Sequence, residues 1–507
     1  MPPERDPAGP RPPTLRQPTG SCTGAPTFCG YLWHAKDGSV PLSGYPTRSL
    51  FYQPRLGAAY DLFGNGKTVL RGGWGRYYFH TGQFTNGLDA SAGVKSTSFD
   101  GKLSTGTNTS QPILVNPLPA SLGALAPWNT ASGNAGLDTV NFSAVASGPA
   151  AVDGKDNEMA YTDNWNFTVS HQMPWSSIFE LSYIGNRTQD IPSSGNGGSV
   201  GLNTLNINLV PVGAMLSSNN GGVDPATLNA DSFRPIKGYS DLYVVTNNGH
   251  ANYNGLQAVW ARTRGRYTIN LNYTFSKAQQ IVGTSTSQLI NQFDVNKNFG
   301  VAPNSRKHLF NAVYSVELPR ANVNKWAGGV INGWQVTGIL QVESGPNLTG
   351  YQNQNFAMNL NNADIPGTNY AISNASILGT PDIQLNPILT CNPTSGLKSH
   401  QYINGSCFAA PTQIGQNGPT ILPPIYGPSY FNWDMGLFKN FAITERQKLQ
   451  FRFNFYNWLN HPLWSFNGGN LNLSFDKNTL QPNNSDFGIT TQKQGHRIIE
   501  MGVKYTF

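Results

Sequence analysis

The strict alternation of apolar and polar residues most constrains what this chain can fold into. In the segment 448–456 (KLQFRFNFY), apolar residues hold every second position and polar residues hold most of the others. The segments 266–275 and 497–507 repeat the pattern, as do the runs from Phe310 to Leu318 and from Trp334 to Val342. Successive side chains of a strand point to opposite faces of a sheet, whereas a helix cannot build one face with this period. The pattern therefore predicts β-strands that each have one apolar face.

The predicted strands are separated by connections of two kinds, which alternate along the chain. The strands are predicted at 48–60, 67–79, 160–172, 176–187, 253–263, 267–277, 306–318, 330–344, 430–441, 447–458 and 496–507. Short connections are predicted at 62–66, 173–175, 264–266, 319–329 and 442–446, and long ones at about 80–159, 188–252, 278–305, 345–429 and 459–495. Short periplasmic turns and long extracellular loops are typical of a transmembrane β-barrel of the outer membrane. The chain is therefore predicted to be all-β and antiparallel, with strands long enough for a tilted bilayer crossing.

Composition agrees with a barrel rather than with a soluble helical enzyme or a disordered chain. Charged residues make up only 12% of the chain, while Gly (55) and Pro (35) are abundant. Aromatic residues reach 11%, more than a disordered chain would carry. The net charge of +7 is scattered without a cluster of Lys and Arg, so nucleic acid is not an expected partner.

The four cysteines fall into two close pairs, Cys22 with Cys29 and Cys391 with Cys407. None of them forms a CxxC motif, and no histidine stands at zinc spacing. Two local disulfides in an oxidising compartment are the prediction, with unpaired thiols as the alternative. The second pair would stiffen the tip of an exposed loop.

The sequence contains none of the common catalytic motifs, so neither an enzyme nor a cofactor or metal site is predicted. GxSxG, HExxH and a Walker loop are absent from it. The glycine-rich run at 72–75 (GGWG) lies within a predicted strand, where it would ease barrel curvature rather than hold a phosphate.

Charged residues inside the predicted strands are expected to face the barrel lumen. Glu180, Asp434 and Glu500 alternate with apolar neighbours, and Arg452 and Lys504 have the same placement. They would form a polar lumen that contacts a plug or lines a ligand route. Recognition would lie in the long loops, which is where binding residues concentrate on rigid scaffolds.

Several segments together resemble a known family. The chain resembles the C-terminal barrel half of TonB-dependent outer-membrane receptors of the Oar-like type. The residues Tyr505 and Phe507 match the terminal signal of barrels that the outer-membrane assembly machinery inserts. The resembling segments are 52–78, 164–187, 253–278, 305–319, 332–349 and 431–464.

The resemblance implies a barrel of the 22-strand class, which surrounds an N-terminal plug that contacts TonB. A ligand would bind at the extracellular loops and enter with energy passed through TonB. Residues 1–47 are Pro-rich without alternation, and are predicted to be irregular, as a remnant of an extracellular loop ahead of the barrel domain at 48–507. We expect the plug, a signal peptide and further strands to be missing from the sequence, since bacterial barrels have even strand numbers.

Expected partners are outer-membrane lipid, the assembly machinery, an unknown extracellular ligand and, through a plug, TonB. Two alternatives stay open at this stage. One is a structural or adhesive surface barrel without energised uptake. The other is a secreted carbohydrate-binding β-protein or hydrolase, which would be soluble without detergent.

Overall fold

A computed structural model describes residues 50–79, 102–105, 109–112, 151–152, 158–191, 204–237, 240–245, 247–281, 289–351, 358–444 and 446–507. Within them, eleven long strands form one antiparallel sheet in which each strand pairs with its neighbours in sequence. A short strand, Phe299–Val301, joins the same sheet beside the sixth of them. The long strands are β1 (Arg55–Asp61), β2 (Thr68–Tyr78), β3 (Tyr161–Met173), β4 (Ser177–Ile191), β5 (Gly249–Arg264), β6 (Tyr267–Ile281), β7 (His308–Glu317), β8 (Trp334–Glu343), β9 (Tyr430–Ala442), β10 (Lys448–Tyr456) and β11 (Ile498–Thr506).

All eleven strands stand where alternation predicts them, and the differences lie at their ends. The first strand begins at Arg55 rather than at residue 48. The eighth begins at Trp334 rather than at residue 330, because the residues before it form a helix. The sixth runs on to Ile281, since its last residues pair with the short strand Phe299–Val301. Alternation therefore located the sheet, while tertiary pairing decided the lengths of the strands.

The remaining elements are short and lie in the connections. The two α-helices among the described residues are α1 (Lys325–Ile331) and α2 (Asn374–Leu378), and neither is long and apolar enough to cross a membrane. The 3-10 turns are Pro174–Ser176, Ser217–Asn219, Pro225–Thr227, Ala230–Phe233, Val295–Asn298, Leu348–Tyr351 and Gly405–Cys407. Short strands span Lys102–Thr105, Thr109–Pro112, Ala151–Val152, Thr204–Asn206, Tyr243–Val245, Met358–Asn359, Ile388–Leu389, Phe408–Ala409, Leu463–Ser465, Leu473–Ser474 and Gln492–Gln494.

Strand register gives the sheet two different faces, because directly opposed residues point to the same side. One row, which crosses nine strands on the apolar face, is Tyr60, Leu70, Val169, Leu181, Ala258, Tyr273, Phe310, Val342 and Phe431. The adjacent row, on the opposite and mainly polar face, includes Ser170, Glu180, Asn272, Asn311, Gln341 and Asn432. Large apolar side chains stay exposed on the first face, among them Leu56 (72%) and Phe167 (52%). Such a surface suits lipid rather than water.

Most of the buried hydrophobic core lies in the long loops rather than in the sheet. One buried cluster joins the loop after β8 to the loop after β10, and consists of Leu348, Ile403, Phe408, Ala410, Leu422, Ile425, Leu473, Phe475 and Phe487. A second cluster lies within the loop after β8, and consists of Ala363, Ile365, Ile372, Ile377, Leu378 and Leu385. The loops at this end are therefore packed structures with cores of their own.

Candidate ligand-binding site in the loop cap

Four long loops contact one another at the same end of the sheet, and we call their described residues the loop cap. They follow β4, β6, β8 and β10, within 204–248, 289–307, 344–429 and 457–497. The loop after β8 is the central one. Its strand Met358–Asn359 pairs with Leu473–Ser474 of the loop after β10, its Ile383 forms a bridge with Asn291, and its Leu378 carbonyl accepts a bond from Gly213.

A disulfide closes part of this central loop. Cys391 and Cys407 are bonded, with their Cα atoms 4.8 Å apart, and Cys407 is fully buried. Next to it, Ile388–Leu389 pairs with Phe408–Ala409 as a small two-stranded ladder. A bridge that closes a loop of this size stabilises by about 3 kcal/mol, mainly by restricting the unfolded chain. Cys22 and Cys29 lie outside the described residues, so their disulfide stays a prediction.

A buried arginine joins two loops of the cap. The guanidinium of Arg234 lies 2.8 Å from carboxylates of both Asp231 and Asp241, and 3.7 Å from Asp382 of the loop after β8. It also donates to the carbonyl of Asn208. Burial raises the pKa of Asp382, against the opposing effects of a bond from the Val210 amide and of Arg234. The arrangement therefore fixes the position of one loop against the other through charge-assisted hydrogen bonds.

Next to this arginine network, the loops after β6 and β8 line an open cavity of about 450 Å³. This volume lies within the range of small-molecule sites, about 300–1,000 Å³. Its lining combines apolar side chains with amides, a hydroxyl and the Asp382 carboxylate, and none of the described residues that line it is cationic. The lining is Leu289, Gln292, Met358, Leu360, Ile372, Ser373, Asn374, Pro381, Asp382, Gln384 and Leu385. Such a lining offers hydrogen bonds and apolar contact, and disfavours an anion.

The five charged residues singled out in the sequence all lie on the mainly polar face, as register requires. They do not form one cluster. Glu180 lies 3.6 Å from Arg71, and Arg452 donates to Gln450 at 2.5 Å. Asp434 accepts a bond from the Asn457 amide, Glu500 accepts one from the Tyr456 hydroxyl, and Lys504 is exposed. Among the described residues, no ion pair joins these carboxylates to Arg452 or Lys504.

The terminal aromatic pair lies at the sheet edge. Tyr505 belongs to β11, and its ring stacks on that of Phe507 with the centroids 5.8 Å apart. Phe507 is 91% exposed. Recognition of this pair by the assembly machinery stays a prediction.

Sequence comparison decides the family. The family model for the outer membrane β-barrel domain matches residues 12–500. The chain belongs to this family. Its location is accordingly the bacterial outer membrane, as the sequence predicts. No curated protein matches the chain.

The solved structures that match the chain include outer-membrane transporters and receptors. The transporter YddB of Escherichia coli is 10% identical, with a TM-score of 0.37. The siderophore receptor PirA of Acinetobacter baumannii is 11% identical (0.35), and the pyoverdine receptor FpvA of Pseudomonas aeruginosa is 10% identical (0.32). Each match covers 90% of this chain, but only 40%, 41% and 36% of the three structures. The chain therefore spans about two fifths of their length.

In an outer-membrane β-barrel domain the apolar face contacts lipid, and polar residues on that face mark the limits of the lipid band. Near the loop cap, Arg76 of β2 makes two 2.8 Å bonds to Asp163 of β3 and lies over the ring of Tyr161. At the opposite end of the sheet, Lys439 of β9 lies over the rings of Trp334 and Phe441. Aromatic rings therefore accompany the charges at both ends, as in the girdles of such barrels.

Proposed function

We propose that this chain supplies barrel wall and extracellular receptor surface to a TonB-dependent receptor, of the type that the Oar-like resemblance implies. A ligand binds in the loop cap and then enters the cell with energy delivered through TonB. The observation that carries this proposal is the cap itself. It combines two hydrophobic cores, a disulfide and an open cavity lined by two loops at the long-loop end of the sheet.

A cavity between packed loops favours a receptor over the alternatives. An adhesive barrel needs an outward-facing surface, which flexible loops can offer. A cavity between packed loops would not contribute to adhesion. A receptor gains from loops that are packed before the ligand arrives, because less conformational entropy is then lost on binding. The fixed position of Asp382 beside Arg234 gives the cavity wall this kind of preorganisation.

The cavity chemistry narrows the class of ligand. Its side-chain amides can hydrogen-bond neutral groups, while Leu289, Met358 and Leu360 offer apolar contact. We propose a ligand that has both apolar groups and neutral hydrogen-bonding groups. The part of it that enters the cavity carries no net negative charge. The chain would hold this ligand without any resident cofactor or catalytic group.

The mainly polar face is proposed to line the lumen and to contact a plug. Glu180, Asp434, Arg452, Glu500 and Lys504 are spread over it rather than neutralised as one cluster. Strands beyond the edges β1 and β11 would close the barrel to the 22-strand class. TonB would act through the plug, and not on these strands directly.

Uptake can be tested without knowing the ligand. Cells with and without the gene are grown in conditioned medium, and untargeted mass spectrometry follows every component. We expect at least one component to be depleted only by cells with the protein, and its depletion to stop with a protonophore. Depletion that continues with the protonophore would indicate a passive pore. Depletion that is equal in both strains would overturn uptake, and loss of surface attachment in the deletion strain would then favour an adhesive barrel.

A further inference from the structure

Among the described residues of the short connections, an α-helix occurs only between β7 and β8. The Asn324 side chain caps α1 at its start by accepting a bond of 2.8 Å from the Ala327 amide. Asn332, at the other end, bonds both the amide and the carbonyl of Ala321, at 2.6 and 3.0 Å. These bonds close the connection on itself, so α1 keeps a fixed position at the short-turn end of the sheet.

Two side chains of the lipid-facing surface hold the end of α1. The indole of Trp334 donates to the Val330 carbonyl at 2.8 Å, and the ammonium of Lys439 donates to the carbonyls of Val330 (2.9 Å) and Asn332. Trp334 and Lys439 are directly opposed in the β8–β9 register, on the apolar face. The helix therefore lies on the lipid side of the sheet, and not beneath the polar face.

Lys439 explains why this contact is stable. Its side chain is only 5% exposed and stands opposite Phe451 on the apolar face. An ammonium in an apolar band is costly unless it finds polar partners or reaches the interface. The carbonyls at the end of α1 are such partners, because the last turn of a helix leaves its carbonyls without intrahelical donors. The Lys439 ammonium thus has hydrogen-bond acceptors, and the last carbonyls of the helix have a donor, at the edge of the membrane.

The opposite side of α1 is apolar and uncovered. Trp326 is 90% exposed and Val330 is 70% exposed, and their spacing of four residues places both on one helix face. Ile331 (49%) and Val323 (44%) extend this surface. This exposed apolar side of α1 is continuous with the lipid-facing surface of the sheet through Trp334. An uncovered tryptophan at this height is typical of the membrane–water interface.

We propose that α1 is an interfacial anchor that inserts Trp326 and Val330 into the periplasmic leaflet of the outer membrane. The occupant of this apolar surface is phospholipid, since the surface continues the face that already contacts lipid. Arg320, exposed on the same connection, supplies a positive charge for phosphate headgroups. The inference is independent of transport, because it needs only the apolar face of the sheet to contact lipid.

The test is a depth measurement on the full chain in vesicles of phosphatidylethanolamine and phosphatidylglycerol. A nitroxide is attached to Trp326→Cys, and its collisions with oxygen and with a water-soluble nickel chelate are compared by power saturation. Leu256→Cys, on the apolar face of β5, gives the value for lipid. Asn65→Cys, in the exposed turn between β1 and β2, gives the value for water. The parent chain, treated in the same way, gives the background.

We expect the oxygen-to-nickel ratio at residue 326 to exceed that at residue 65 by about threefold or more, toward the lipid value. A ratio equal to that at residue 65 would overturn the anchor, because the helix would then lie in water. Low collision with both reagents would also overturn it, because a protein would then cover the surface. If Trp326→Cys fails to fold, Gly329→Cys replaces it, since a side chain at Gly329 meets no atom within 4 Å.

Discussion

The sheet and the loop cap of this protein are stabilised in different surroundings. Phe167 in the sheet is 52% exposed on the lipid-facing side, whereas Phe475 in the cap is completely buried. The sheet therefore depends on strand pairing and on lipid, while the cap has a hydrophobic core like that of a water-soluble domain. One chain thus carries two kinds of stability, and substitutions of one chemical type should act differently in the two regions.

The largest expected effect comes from removing the same side chain in both regions. Phe475→Ala should destabilise the cap by about 3–5 kcal/mol, because it leaves a cavity that the core cannot fill. Phe167→Ala is the matched control, and lipid can fill the space that it leaves. Hydrogen exchange of peptides from 358–429 reports on the cap, and heat-modifiable gel migration reports on the sheet. Equal effects of the two substitutions on cap exchange would contradict the comparison.

The buried arginine gives a second test of the cap. Arg234→Gln leaves Asp231, Asp241 and Asp382 without their shared cation, which should cost about 3 kcal/mol. This loss of stability is at the lower end of the range usual for breaking a buried ion pair, because the Asp231 and Asp241 side chains are 25% and 26% exposed. Exchange should rise in both linked loops, with unchanged gel migration of the barrel. Lys477→Gln, an exposed cation of the same cap, is the control and should change neither.

A third prediction concerns function within the cap. Gln292→Trp places a large ring in the cavity and, if the proposed uptake occurs, should lower depletion of the component taken up about tenfold, equivalent to about 1.4 kcal/mol. Phe293→Trp is the matched control, because Phe293 is 40% exposed and does not line the cavity. Uptake that is unchanged by Gln292→Trp would place the ligand site elsewhere.

Sequence reasoning found the sheet because alternation is a local signal that any strand with one lipid-facing side must carry. It placed the charges of β4 and β9–β11 on one face for the same reason. It did not find the Arg234 network, since Asp382 lies far from Arg234 along the chain and only folding brings them together. The core residue Phe475 was missed because it stands in a polar loop without periodicity. The sequence predicts a turn and the start of a strand where the structure has helix α1, because the two glycines of KWAGGVI weaken any helical pattern.

The smallest expected effect distinguishes two carboxylates of the cap by the pH dependence of its stability. Burial raises the pKa of Asp382, so ionisation of this carboxyl opposes folding. Its contribution to the stability of the cap is therefore present at low pH and is lost as pH rises from the usual Asp pKa through the raised one. Hydrogen bonds from the Thr479 amide and hydroxyl lower the pKa of Asp476, so its stabilisation is present above that range and is lost as pH falls. Asp382→Asn keeps an acceptor for the Val210 amide.

Cap exchange measured from pH 4 to pH 7, corrected for intrinsic exchange rates, separates the two groups. Asp382→Asn should make the stability of the cap rise more steeply with pH than in the parent chain, because it removes the Asp382 contribution, which decreases as pH rises. Asp476→Asn should make the stability of the cap rise less steeply with pH, because it removes the Asp476 contribution, which increases as pH rises. The opposite signs serve as mutual controls, since a general effect of pH on exchange would move both variants in the same direction. Shifts of the same sign would mean that Asp382 ionises as readily as an exposed carboxylate, and that Arg234 fully offsets its burial.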